Sequence, residues 1–254
     1  MQVALNVLAD LGWLNLLFIW VVVVFAGVMR AFTGFGFALT AVPVFSLFIA
    51  PSEAVVLSSS LSLALSLLTW KTYWGKYPLK PMLPLVLLAV VGTGIGAALL
   101  STISPQQFKL GIGLSVIAAS VALVFYKPRH VEAGAFVGGL AGLGSGLMNG
   151  AFAIPGPPVI IYAMATQTDP QRTRALLMTF FMFSAILALV SFAAAGFISP
   201  LSPWLFLAAM PAMYMGDKLG YFLFQHYGTA LYRRVALAAL FTIGISITAK
   251  ALLG

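Results

Sequence analysis

The sequence predicts an all-α, polytopic transmembrane helical bundle of about 8–10 membrane segments, built as two inverted five-segment repeats with broken helices after two glycine-rich motifs. Three observations carry that prediction. First, 62% of the 254 residues are hydrophobic and 7% are charged, at a mean hydropathy of +1.08, which leaves too little polar surface to solvate a globule. Second, charges, prolines and polar clusters cut the chain into ten apolar runs. Third, two glycine-rich stretches interrupt apolar sequence: Arg30-Ala-Phe-Thr-Gly-Phe-Gly-Phe37 leading to Pro43, and Gly142-Leu-Gly-Ser-Gly-Leu-Met-Asn-Gly150 leading to Pro155-Gly-Pro-Pro158. Lipid tolerates irregular backbone only where protein buries it or a watery cavity solvates it, so a pair of breaks in corresponding places points to a binding site.

A bilayer core of about 30 Å calls for about 20 helical residues. The first run, 11–29, meets this, with no basic residue before it and no small-residue cleavage site after it, and reads as a retained span. The second, 35–50, follows the first break and is short. Runs 54–70, 82–101 and 107–126 complete the first half. The second half opens with 131–148, continues with the short run 152–166 after the second break, and ends with 171–197, 203–224 and 231–253. The two short runs are read as half-helices or re-entrant arms.

Basic residues concentrate on the cytoplasmic side of membrane proteins. One set of gaps carries Arg30, Lys71, Lys76, Lys80, Lys127, Arg129, Arg172, Arg174, Lys218, Arg233 and Arg234; the other carries Lys109 and Lys250 alone. Eleven of the 13 basic residues thus share one side, which places both termini away from the cytoplasm. Tyr73, Trp74, Tyr77 and Trp204 are expected at headgroup level, and Trp13 in the opposite leaflet. Trp20 falls mid-span, as a packing residue or a cavity liner. The net charge of +8 does not indicate nucleic acid, because the bases sit in short gaps and form no stripe.

A faint repeat divides the chain into 1–126 and 127–254 within one membrane domain. Gly92, Gly96 and Phe108-Lys109 recur as Gly216, Gly220 and Tyr232-Arg233 at an offset of 124 residues; Pro43 recurs as Pro158 and Glu53 as Asp169 at 115 and 116. Five segments per half is an odd number, so the second copy enters from the opposite face.

Catalytic chemistry has little to draw on. With no cysteine, five acids and two histidines, the chain offers no metalloprotease motif, nucleophile elbow or paired carboxylates, and no metal or cofactor is expected. Glu53 and Asp169 each precede a long run and suit helix capping. Asp217, beside Lys218, is the remaining candidate for proton coupling. A helix that begins inside the membrane presents unpaired N–H groups and the positive end of its dipole, an anion site without formal charge. Candidate substrate-binding residues are therefore Arg30, Thr33, Gly34, Phe35, Gly36, Phe37, Thr40 and Ser59 in the first half, and Ser145, Asn149, Gly150, Gly156 and Pro157 in the second. Arg30 is either a topology determinant at the membrane face or a direct anion ligand. The Gly92–Gly96 and Gly216–Gly220 spacings are expected to mark close helix contacts.

At these residues the sequence resembles the TauE/SafE sulfite exporter family, also called the toluene-sulfonate uptake permease family. The resemblance rests on Thr33-Gly-Phe-Gly-Phe37 with Pro43, and on Gly138-Gly139, Gly142, Ser145-Gly146, Gly150 and Gly156-Pro-Pro158 with Tyr162, and covers roughly residues 14 to 250. Ser145 and Asn149 stand where related sequences often have further glycine. The resemblance implies a bacterial inner-membrane secondary transporter for sulfite, organosulfonates or a related small sulfur-containing anion. Coupling to protons or the membrane potential is expected, since no nucleotide-binding motif is present. An anion channel of the same architecture is the alternative. The expected partners are a small anionic substrate and the lipid bilayer, with a homo-oligomer left open and no nucleic acid.

Overall fold

The computed structural model describes residues 12–33, 36–125, 134–227 and, beyond these, 241, 242, 244–246, 248 and 249. Among the described residues the secondary structure is helical: α1 Trp13–Thr33, α2 Phe37–Phe45, α3 Pro51–Leu68, α4 Leu83–Leu100, α5 Pro105–Phe125, α6 Ala135–Phe152, α7 Gly156–Thr166, α8 Pro170–Ala194 and α9 Ser202–Tyr227, with 3-10 turns at Trp70–Thr72 and Lys80–Met82. Among the described residues five stretches are long and apolar enough to cross a membrane: Leu14–Ala31, Pro51–Leu68, Lys80–Leu100, Ala135–Phe152 and Gln171–Ala194.

The helix ends follow local chemistry. Pro51 and Pro170 sit in the first turns of α3 and α8, where a missing N–H costs nothing. Asp169 caps α8, its Oδ1 accepting from the Gln171 amide at 2.9 Å. Glu53 lies in the first turn of α3, as expected for a carboxylate at a positive helix end, and also accepts from Ser202 Oγ at 2.9 Å. The two short runs become helices of 9 and 11 residues. At 1.5 Å per residue these reach about 14 and about 17 Å, so neither crosses a bilayer core alone.

Glycine sets the tightest packing. On α4, a Cβ at Gly92 or Gly96 would run into the α6 backbone at Leu143, Leu147 and Ala151; on α6, one at Gly142, Gly146 or Gly150 would run into α4. The first helix is held likewise by α9, where Gly216 lies against Val24 and Gly27, and Gly220 against Val28 and Ala31. Both spacings are therefore helix contacts, where small residues let backbones approach and collect dispersion energy that lipid cannot replace. The fourth helix of each half thus packs on the first helix of the other. The third helices, α3 and α8, pack on each other and are the most buried of the five spans. Trp20 is a packing residue: its Nε1 donates to the Ala208 carbonyl of α9 at 2.9 Å.

Of the aromatic residues assigned to headgroup level, Trp74 is exposed, but Tyr73 is 1% and Tyr77 8% exposed. Tyr73 donates to the Ser66 carbonyl at 2.8 Å, and Tyr77 accepts from Gln167 Nε2 at 3.3 Å. The loop after α3 folds inward, and burial pushes the Tyr73 phenol up, against the opposing pull of the Arg30 charge.

Candidate functional site

Both glycine-rich stretches end helices inside the bundle. At the start of α2, Gly36 lies at φ 104° and ψ −9°, a left-handed conformation that glycine adopts without a Cβ penalty. Between α6 and α7 the left-handed position is Ala153, at φ 54° and ψ 28°, whose amide donates to the Asn149 carbonyl at 2.7 Å. Among the described residues Ala153 is the one non-glycine with positive φ.

Both left-handed positions line one cavity with about 50 Å³ of space for water-sized occupants. One water needs about 10–15 Å³ by this measure, so the space suits a few waters or one small oxyanion. From the first half come Arg30, Gly36, Phe37, Ala38, Leu39, Ser59, Ser62 and Ser66; from the second come Asn149, Ala153, Ile154, Pro155, Gly156, Phe181 and Ala185.

Arg30, in the last turn of α1, is drawn inward and only 5% exposed. Its Nη2 donates to Ser66 Oγ at 3.2 Å, while the Ser66 hydroxyl spends its own proton on the Ser62 carbonyl at 2.8 Å. Ser66 is thereby a fixed acceptor that holds the guanidinium at the cavity wall. Asp217 on α9 and Arg174 on α8 lie within electrostatic reach of Arg30, and Arg174 Nη2 also donates to the Ala31 carbonyl at 3.1 Å.

The two helix starts differ as donors. Phe37, Ala38 and Leu39 open α2, and first-turn amides have no acceptor within their own helix. All three residues line the cavity. At α7 the second and third positions are Pro157 and Pro158, which carry no N–H, so the first turn offers the Gly156 amide alone.

Of the residues selected from sequence, the structure brings Arg30, Gly36, Phe37, Ser59, Asn149 and Gly156 to the cavity. Thr40 and Ser145 are fully buried and do not line it, their hydroxyls without a partner among the described residues. Pro157 is buried and does not line the cavity, and Gly150 faces the α4 backbone at Thr93, Gly96 and Ala97. Gly34, Phe35 and the side chain of Thr33 lie outside the described residues. Asp217 is half-buried on α9, away from the cavity lining. Sequence reasoning missed Ser62 and Ser66, although with Ser59 they fall at spacings of three and four, one face of α3. It also missed Phe181 and Ala185, four apart on one face of α8. No group of residues that could hold a metal ion occurs among the described residues.

The long apolar spans among the described residues make this a multi-pass membrane protein, with a small cavity lined by the starts of α2 and α7 together with Arg30, Asn149 and the serines of α3. The family model described as sulfite exporter TauE/SafE matches residues 19–247, and the chain belongs to that family. It is a membrane transporter of the sulfite-exporter type. No individual curated protein and no solved structure matches the chain.

Proposed function

We propose that this protein is a secondary carrier that exports sulfite, an organosulfonate or a related small sulfur-containing anion across the bacterial inner membrane, driven by protons or the membrane potential. The observation that carries the proposal is the cavity wall shared by a buried arginine and the donor-rich start of a helix. A buried guanidinium is costly in a membrane unless an anion or fixed acceptor compensates it. First-turn amides add directed donors and the positive helix end. Arg30 carries the charge recognition, Phe37 to Leu39 and Gly156 present amides, and Ser59 and Ser62 supply hydroxyls from α3.

The halves 1–126 and 127–254 are read as repeats of opposite orientation that rock about this cavity. The reciprocal packing of α4 on α6 and α9 on α1 supports that reading, because a two-fold relation exchanges these pairs. So does the placement of one short helix after the first helix of each half. The distribution of basic gaps in the sequence supports a cytoplasmic Arg30 end of α1 and termini outside the cytoplasm.

Purified protein in liposomes tests the proposal. Labelled sulfite should enter with saturable kinetics and exchange against internal unlabelled sulfite. Flux that never saturates and shows no counterflow would identify a channel; no flux under a pH gradient or a potential would remove the substrate class.

A further inference from the structure

The side chain of Asn149 on α6 is held by two neighbouring helices, and both hydrogen bonds leave from its nitrogen. Nδ2 donates to the Ser184 carbonyl of α8 at 2.8 Å and to Thr93 Oγ1 of α4 at 3.4 Å. Neither partner permits the flipped amide. A carbonyl only accepts, and the Thr93 hydroxyl has committed its proton to the Ala89 carbonyl at 2.7 Å, so it too accepts. Asn149 is 2% exposed and lines the cavity. With its nitrogen spent on protein, the polar atom it offers to an occupant is the acceptor Oδ1.

An acceptor is a poor neighbour for a fully ionised oxyanion, whose oxygens are all acceptors. Facing one, Oδ1 would be buried without a partner, which is the costly state of a polar group. We infer that the cavity selects anions that carry their own hydrogen-bond donor: a hydrogen-oxyanion such as hydrogensulfite, or a sulfonate bearing an amino or hydroxyl group beside its anionic head. The charge goes to Arg30 and the α2 amides, and the donor goes to Asn149 Oδ1. This deepens the anion-carrier reading and rests on it.

Sulfamate and methanesulfonate test the inference, being tetrahedral monoanions of similar size in which an amino group replaces a methyl group. Each is added as competitor to counterflow of labelled sulfite in proteoliposomes of the wild-type protein. Sulfamate should inhibit at a concentration about tenfold lower, the discrimination one site-oriented hydrogen bond supplies. Equal inhibition, stronger inhibition by methanesulfonate, or inhibition by neither while sulfite still exchanges would overturn the donor requirement and leave the carrier standing. Absence of sulfite counterflow would overturn the carrier reading and this inference with it. Asn149→Leu should erase the preference for sulfamate; a folded leucine variant that keeps it would remove Asn149 from the selection. If that variant does not fold, the wild-type comparison decides alone.

Discussion

The guanidinium of Arg30 donates through Nη2 to the Ser66 hydroxyl at 3.2 Å, across 36 residues of sequence and from α1 to α3. Because Ser66 has given its own proton to Ser62, this contact has one polarity and one geometry. It turns a mobile cation into a positioned one. Ser66→Ala should leave the fold intact and weaken sulfite binding about tenfold, the scale of one hydrogen bond to a charged group. Equilibrium binding of labelled sulfite to the purified variant checks this, and unchanged affinity would mean that Arg30 positions itself without α3.

Ala153 holds a left-handed conformation that a side chain disfavours by about 1–2 kcal/mol. Ala153→Gly removes that penalty and adds some unfolded-state freedom, for a net stabilisation of up to about 1 kcal/mol. A thermal unfolding scan of the two proteins in the same detergent should place the glycine variant at or above the wild type. A clear drop would show that the alanine methyl is needed against the cavity wall.

Glycines of the two kinds should fail differently. At Gly150 a Cβ would lie 2.5 Å from the Ala97 amide nitrogen and 2.8 Å from the Gly96 carbonyl carbon, all backbone that cannot give way. Gly150→Val should therefore yield aggregated protein on size-exclusion chromatography. At Gly36 the obstacle is the backbone angle rather than a neighbour. Gly36→Ala should remain a folded protein with impaired sulfite exchange, since the α2 amides follow the angle at Gly36.

Asp217 faces Arg30 and Arg174 electrostatically from α9 without lining the cavity. If its carboxylate carries the coupling proton, Asp217→Asn should keep sulfite counterflow while losing accumulation driven by a pH gradient. Retained pH-driven accumulation would remove Asp217 as the carrier of the coupling proton.

Much of this arrangement is legible in sequence because membranes impose few solutions. The first nine apolar runs and their glycine-proline punctuation locate the helices within a few residues, the tenth run, 231–253, lying mostly outside the described residues, and the two short arms are visible as runs too short to cross. Small residues at spacings of four, Gly92 with Gly96 and Gly216 with Gly220, mark the close helix contacts. The direction of side chains is harder. Gly150 and Asn149 are adjacent in one motif, yet one step along α6 turns the first toward α4 and the second toward the cavity. Tyr73 and Tyr77 share the composition of a headgroup belt, but a hydroxyl that reaches Ser66 and another that meets Gln167 draw them inside. Long-range partners of that kind leave no periodic trace. The inward set of Arg30 is equally silent in sequence, because it depends on Ser66, 36 residues away.

The central claim is that Arg30 and the start of α2 at Gly36 form the anion site, and calorimetric titration of sulfite into wild-type and Arg30→Gln protein tests it most directly. The wild type should bind saturably at one site, and the folded variant, having lost the only cationic side chain on the cavity lining among the described residues, should lose affinity by at least about a hundredfold. A folded Arg30→Gln protein that binds sulfite as the wild type does would contradict the account.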